Sequence, residues 1–594
     1  MNKLRFVITA VLCAAIAAPV ASRAADDPPT PASQANTGNS TRSDELAKLR
    51  AKLEQQQKQI EALQQALTEQ QKAVDKALGD KPAAPADTTG AAQAAEAAQE
   101  NVLKAPNLGE VASTTPIIPR GVAPSLPSSL GIAAVPQVVP KVGTAGETIP
   151  DSPLQLRIGN TAITPVGFVD ATNTWRSTAS GAGLATNFGN IPYNNNLPIG
   201  RLSENRMSLQ NSRIGARFDS LYKDYHVLGY WESDFVGGVG DTAYNTQVTS
   251  NSILLRLRLY WVSVRKDKFE FLAGQSWSMM TPNRRQISAL PGDLFYGQEF
   301  DVNYLNGLTW GRIPGYRFLF HPSEKITWGV SAENGDQYFG GSGGGGVPTL
   351  PAALSSLTGT ELDANVANGL TKIANYRPDI ISKLAFDPSS RAHFEIAGVV
   401  NGVKIFNPNT TGPGAQQYFT KTGGGGSFNS NFEIVKNFRI FENLFYSDGA
   451  GRYLFGVAPN FILRADGSPS PIHSGSTVDG FEWTLGKSLF YVYYGGIYVS
   501  RNVALDANGT TLIGYGYRGS PNSQNRSTQE ITGGWNQTLF RDPKYGSIST
   551  FVQYAYFWRM PWFVATNAPK DAFQTAVWFD LRYTLPGSAP TIGY

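Results

Sequence analysis

Between residues 160 and 594 the chain runs through about sixteen strand-like segments, joined in strict rotation by turns of a few residues and by long polar loops. Along each segment apolar and polar residues alternate, so one face suits lipid and the other water. A soluble sandwich also alternates. It does not keep short turns on one side and long loops on the other over so many strands. The pattern therefore predicts an all-β chain, a 16-stranded antiparallel transmembrane β-barrel. A barrel of roughly 16–18 strands leaves a water-filled channel, which makes transport the default activity.

Composition enters where it can decide. Hydrophobic residues make up 41% of the chain, yet no stretch after residue 20 runs 18 apolar residues, so spanning helices are excluded. The 61 glycines, 31 Phe, 25 Tyr and 11 Trp suit strands, loop tips and the aromatic girdles of a barrel. A net charge of +4 is too weak to bind nucleic acid on its own.

The N-terminus sets the compartment. Lys3 and Arg5 precede an apolar run from Phe6 to Val20, and Ser22-Arg23-Ala24 is a small-residue cleavage site. Residues 1–24 thus read as a secretory signal peptide. The single cysteine, Cys13, lies inside it, so the mature chain has no disulfide, no thiolate metal site and no cysteine nucleophile. After a disordered segment at 25–42, a helical seam runs over 43–80. Leu46, Leu53, Ile60, Leu67 and Val74 recur every seven residues, with Leu49, Gln56, Leu63, Gln70 and Ala77 three residues after each. That is the a/d signature of an α-helical coiled coil, and its apolar seam calls for self-association rather than a lone wet helix. Residues 81–155 follow as a disordered Pro/Ala-rich linker, with ten prolines before residue 151 and almost no aromatics to bury. The barrel itself spans 156–594.

Within the barrel, Ile214, Ala216 and Phe218 share one face, while Asn211, Arg213, Gly215 and Arg217 share the other. In 254–264, Leu255, Leu257, Leu259 and Trp261 are assigned to lipid because Arg256 and Arg258 cannot be. A basic side chain at the bilayer midplane costs roughly 2–4 kcal/mol. Short turns include Arg265-Lys266-Asp267, Pro322-Ser323-Glu324, Asp387-Pro388-Ser389-Ser390, Gly486-Lys487 and Asp542-Pro543-Lys544. Long loops fall at 177–204, 236–251, 278–306, 334–377, 407–423, 448–478, 501–526 and 561–571, and the last strand at 575–585. This arrangement puts both barrel ends, and the coiled coil with them, in the periplasm beneath an outer membrane.

Several patches resemble the DcaP-like outer-membrane porins, relatives of the phosphate-selective porins O and P. They are Leu272-Ala273-Gly274-Gln275-Ser276-Trp277 before the long third loop, Pro378-Asp379-Ile380-Ile381-Ser382-Lys383-Leu384, and Gly449-Ala450-Gly451-Arg452-Tyr453. The order of signal peptide, coiled coil, linker and barrel is also similar. The resemblance implies a trimeric sixteen-stranded channel for small anionic solutes, dicarboxylates among them. The chain departs from it in lacking a lysine-dense lumen and in the length of its fourth loop, with the Gly-rich run 340–346.

Selectivity in such a channel comes from charged groups in a narrow lumen. Alternation assigns Arg213, Arg217, Arg256, Arg258, Arg312 and Lys383 to the lumen, and an inward-folded third loop adds Arg284 and Arg285. Arginine suits carboxylates because its planar fork meets both oxygens. Glu232, Asp234, Asp293, Glu299 and Asp301 are the candidate opposing acidic wall. The competing expectation is that these arginines only pair with wall carboxylates.

Other function classes fare worse. Four histidines, His226, His321, His393 and His473, form no nucleophile–base pattern and no helical metal pair, so neither an enzyme nor a metal or other cofactor is expected. A sugar-type or general porin with aromatics along the lumen is the second transport reading. A structural protein whose coil tethers the outer membrane to a periplasmic envelope component is the third. Expected partners are outer-membrane lipids, small anions and copies of the same chain, a trimer by analogy with porins.

Overall fold

In the computed structural model the described residues are 153–179, 184–193, 199–237, 254–289, 304–365, 372–564 and 572–586. The expected signal peptide, the segment 25–42, the coiled-coil seam (Leu46, Leu49, Leu53, Ile60, Leu63, Leu67, Val74) and nearly all of the linker lie outside them.

Sixteen long strands form one closed antiparallel barrel. They are β1 (Thr161–Arg176), β2 (Arg213–Tyr222), β3 (Tyr225–Asp234), β4 (Arg256–Lys266), β5 (Phe269–Trp277), β6 (Arg312–Ser323), β7 (Ile326–Glu333) and β8 (Asp379–Ser389). The second half comprises β9 (Ala392–Phe406), β10 (Tyr418–Val435), β11 (Phe438–Asp448), β12 (His473–Leu485), β13 (Ser488–Val499), β14 (Asn525–Asp542), β15 (Gly546–Pro561) and β16 (Ala572–Thr584). Each strand pairs with its sequence neighbours, and β1 closes the ring against β16 in the register Phe168↔Thr584 to Arg176↔Ala576. Two short pieces, Leu156–Ile158 and Glu204–Ser208, pair alongside β1. Closure leaves no unpaired edge, which a sheet in lipid requires.

The turns obey the expected asymmetry. Those at 223–224, 267–268, 436–437 and 486–487 are two residues long, and Lys223, Asp267, Asn437 and Gly486 take the positive φ that tight hairpins demand. All seven such connections lie at one end of the barrel and the eight long loops at the other. These loops are called L1 to L8 in chain order.

Three sequence assignments need correction. Residues 418–423, expected at the end of the fifth loop, belong to β10. Asn401↔Gly423 through Gly398↔Gly426 are paired with β9, so the fifth loop ends before Tyr418. Glycine carries no alternation to read, and only the cross-strand partners place it in a strand. Likewise β12 begins at His473, so the last six residues of the expected loop 448–478 are strand, and the last strand is Ala572–Thr584 rather than 575–585.

The third correction is a change of face. Leu257 pairs with Ser233 and Leu259 with Glu232, which leaves Arg258 as an extra residue on β4. Such a bulge reverses the alternation beyond it. Leu257 is 50% exposed on the lipid side as expected, but Leu259 is 0% exposed and faces inward, as does Trp261. Tyr260, Val262 and Val264 take the lipid face instead. Val262→Arg should therefore cost about 2–4 kcal/mol of unfolding free energy in phosphatidylcholine vesicles. An unchanged urea midpoint would restore the unbroken alternation.

Candidate functional site

The inner face of the barrel is densely charged, and its outer face is mostly apolar, with the cross-strand neighbours Glu442 and Asp479 as exceptions. In each outward row Leu, Ile, Val, Phe and Tyr stand exposed, while Arg213, Arg217, Glu232, Asp234, Arg258, Arg317, Glu395, Glu482, Glu530 and Arg582 turn inward and are buried. Of the predicted strand cations, Arg213, Arg217, Arg258 and Lys383 are buried on this inner face, whereas Arg312 shares its strand row with the exposed Tyr316 and Phe318.

On β2 to β4 these groups form one network. Arg258 joins Glu232 (2.7 Å) to Asp234 (2.7 Å). Arg256 forks onto Asp234 (2.9 and 2.5 Å), and Arg217 holds Asp219 (2.6 Å). Arg213 stands 3.8 Å from Glu232 and over the Phe168 ring. Only Arg256 keeps appreciable access, with 26% of its side chain exposed. Glu232 and Asp234 thus lie on the same wall as the arginines, between their strands, and not on an opposing one. This corrects the transverse arrangement expected for these two residues. Asp293, Glu299 and Asp301 lie outside the described residues.

L3 folds inward and is held by wall carboxylates from strand to strand. The Met279 N–H donates to Glu333 on β7 (2.8 Å), the Gln286 N–H to Asp387 on β8 (3.0 Å), and the Asn283 N–H to Glu395 on β9 (3.1 Å). Arg284 crosses to β12 and meets Glu482 bidentately (3.0 and 2.5 Å) above the Phe441 ring. The Asn306 N–H donates to Glu530 on β14 (3.2 Å). Farther along, Tyr304, Leu305 and Leu308 pack into a core with Tyr491, Tyr493, Phe551, Phe557 and Trp578 of the wall. Backbone N–H groups of a loop have no ladder partner, so carboxylates on the rigid strands satisfy them.

The remaining candidates attach to the same loop. Lys383 donates to Glu395 (3.1 Å) and to the Thr281 carbonyl (2.7 Å). Arg312 lies between the Trp277 and Trp310 rings, 5.6 and 5.1 Å from their centroids. Arg285 is half-buried on L3 and pairs with no carboxylate among the described residues.

Sequence reading missed several inward cations. Arg317 donates to the Ser276 hydroxyl (3.3 Å) and the Trp277 carbonyl. Arg559 is held by the Ile191 and Asn522 carbonyls (2.5 and 3.1 Å), and Arg582 forks onto Asp170 (2.8 and 2.5 Å). Their alternation with outward apolar residues was the available signal. Arg452, in L6, had none.

Arg452 belongs to a second cluster, where L4 meets L6. It pairs with Asp379 (3.1 Å) and donates to the Asn334 carbonyl (2.8 Å). Asp336 lies beside it, hydrogen-bonded to Asp363. Burial, opposed by the Arg452 charge and reinforced by Asp363, pushes the Asp336 carboxyl up to about 7. The folded loop therefore binds this proton more tightly than the unfolded chain does. Its contribution is complete below the ordinary carboxylate range and is lost as pH rises through about 7. Protection factors for amide exchange over 334–365, corrected for the intrinsic rate, should accordingly fall between pH 5 and pH 8, and Asp336→Asn should abolish that fall.

The glycine run in L4 serves close approach. A Cβ on Gly345 would stand 2.2 Å from the Gly456 carbonyl oxygen of L6, and one on Gly344 would stand 2.4 Å from the Asn190 nitrogen of L1. Thr349 and Gly514 exchange N–H···O bonds of 2.8 and 2.9 Å, which joins L4 to L7.

Among solved structures, the outer-membrane channel DcaP of Acinetobacter baumannii superposes with a TM-score of 0.50 at 17% identity, covering 72% of this chain and 99% of that one. The chain has the porin fold. The anion-selective porin of Comamonas acidovorans (TM-score 0.39, 10% identity, 72% and 100% covered) and the Salmonella typhi porin OmpF (0.36, 9%, 72% and 100%) are more distant. No protein-family profile and no curated protein matches the sequence.

Proposed function

We propose that the chain is a passive outer-membrane diffusion channel that prefers small anionic solutes, dicarboxylates among them, and works without cofactor or energy input. One observation carries the anion preference: most of the inward carboxylates are engaged by the third loop or by wall cations, Asp580 on β16 being an exception. Glu333, Asp387, Glu395, Glu482 and Glu530 hold L3, and Glu232 and Asp234 hold Arg256 and Arg258. Arg317 and Arg559, by contrast, are bonded to hydroxyl, amide and carbonyl groups, which leave their charge uncancelled by a direct pair. Arg285 adds a further cation on L3. A positive lumen narrowed by an inward loop concentrates anions and repels cations.

The fold shared with DcaP, an outer-membrane channel, fits this reading. The N-terminal heptads favour a homo-oligomer, taken as a trimer, with the coil in the periplasm. Hydrolytic chemistry is disfavoured by geometry. The Ser263 hydroxyl donates to Glu270, and it is Glu270 that meets His321, so the imidazole does not touch the hydroxyl.

The test is the reversal potential of the purified protein in a planar bilayer under a salt gradient. Anion preference is expected. Cation preference would overturn the charge argument, and the absence of charge preference would favour the sugar-type or general porin.

A further inference from the structure

Outside the lumen, one exposed cluster of arginines is left without carboxylates. Arg501 follows β13, Arg526 is near the start of β14, and Arg518 lies in L7, all exposed. None of the three forms an ion pair among the described residues. Arg501 and Arg526 stand over the Trp562 ring at 5.3 and 5.9 Å. The indole is fixed by its Nε1–H donating to the Val499 carbonyl (2.8 Å) and by an edge contact with Tyr498.

The cluster borders an open concavity of about 400 Å³ lined by Arg501, Val503, Leu512, Gly516, Tyr517 and Arg518. Gly516 joins this hollow to the indole. It has a φ of 75°, and a Cβ there would fall 2.7 Å from the Trp562 ring and 2.8 Å from Arg501. The glycine thus lets loop backbone lie directly on the Arg–Trp stack.

Height along the barrel decides what such a site meets. Just below it on the outward face, Tyr556, Trp558 and Phe573 form a contiguous aromatic belt with centroids 5.5 and 6.3 Å apart. Aromatic belts mark the membrane–water interface, so the arginines stand at headgroup level on the loop side. Tyr498 and Arg526 point outward from their strands rather than into the lumen.

We infer that this rim hollow binds the phosphorylated headgroup of an outer-leaflet glycolipid. The guanidiniums take the phosphate oxygens, and Val503 and Leu512 receive the start of the acyl region. Three properties select this occupant over a free solute: planar forks for phosphate, an apolar lining, and a position at the lipid interface. The inference rests on the outer-membrane placement proposed above.

The test uses the full chain in detergent with bis-phosphorylated lipid A, dephosphorylated lipid A and inorganic phosphate as separate probes. Wild type should bind the phosphorylated lipid about tenfold or more tightly than the dephosphorylated one. The variant Arg501→Gln/Arg518→Gln/Arg526→Gln should lose that margin, and excess inorganic phosphate should compete only weakly. These are exposed side chains, so the variant should still insert into phosphatidylcholine vesicles with the heat-modifiable mobility of a folded barrel. Equal lipid affinity of wild type and variant would overturn the inference, and so would full displacement by inorganic phosphate, which would mark a free-anion site. Failure of the wild type to insert at all would instead remove the outer-membrane reading beneath it.

Discussion

Glu482→Gln should loosen the third loop and raise single-channel conductance. Glu482 accepts both guanidinium nitrogens of Arg284 and the Tyr493 hydroxyl (2.7 Å), and its side chain is fully buried. Removing its charge leaves Arg284 in a poorly solvated place with no counter-charge. Breaking a buried pair from one side costs on the order of 3–5 kcal/mol. That loosens the segment from 283 to 286 around Arg284, while the Asn283 and Gln286 N–H groups on Glu395 and Asp387 and the side chains of Lys383, Asn429 and Asn431 on Asn283 still tie it to the wall. The companion variant Arg284→Met removes both the unpaired charge and the need for it. The double variant Glu482→Gln/Arg284→Met should recover much of the lost stability while keeping the raised conductance. Planar-bilayer recordings and urea midpoints read the two effects separately. Unchanged conductance in Glu482→Gln would mean that the backbone anchors to Asp387, Glu395 and Glu530 suffice to hold the loop.

The second large effect is expected at Arg258. Its guanidinium bonds both Glu232 and Asp234, and its side chain has no solvent exposure. Arg258→Gln leaves Glu232 with Arg213 at 3.8 Å and the Tyr230 hydroxyl, and Asp234 with the Arg256 fork. The net change at the wall is one full negative charge in a low-dielectric place. About 3–5 kcal/mol of stability should be lost, and the reversal potential should shift toward cations. Arg256→Gln makes a useful contrast. Its partly exposed side chain is better screened, so selectivity should move with a much smaller loss of stability. If both variants keep the wild-type reversal potential, these arginines serve only to hold the wall together.

The two predictions separate what each residue was legible for. The face of Arg213, Arg217, Arg256 and Lys383 could be read from their apolar neighbours, because a strand has a period of two and lipid tolerates no charge on its side. Their partners could not. Glu482 lies 198 residues from Arg284, and Glu395 lies 112 from Asn283. Nothing local in the chain signals that a loop crosses the lumen to reach them. The bulge at Arg258 shows the same limit within one strand. The run Arg256–Lys266 alternates acceptably in either phase, since Leu259 and Trp261 are as apolar as Tyr260 and Val262. Only the pairing with β3 decides which of them meet lipid.

Sequence alone determined the barrel, its strand number, its two kinds of ends and the faces of most charged residues. Those features follow from alternation, turn chemistry and the cost of burying polar groups in lipid, all of which act over a few residues. The tertiary structure decided the charge balance of the lumen. It settled which carboxylates hold the third loop, which arginines bond to carbonyl and hydroxyl groups, and that residues 418–423 belong to a strand. Those outcomes depend on groups brought together across the barrel, and chain closure rather than local pattern sets their distances.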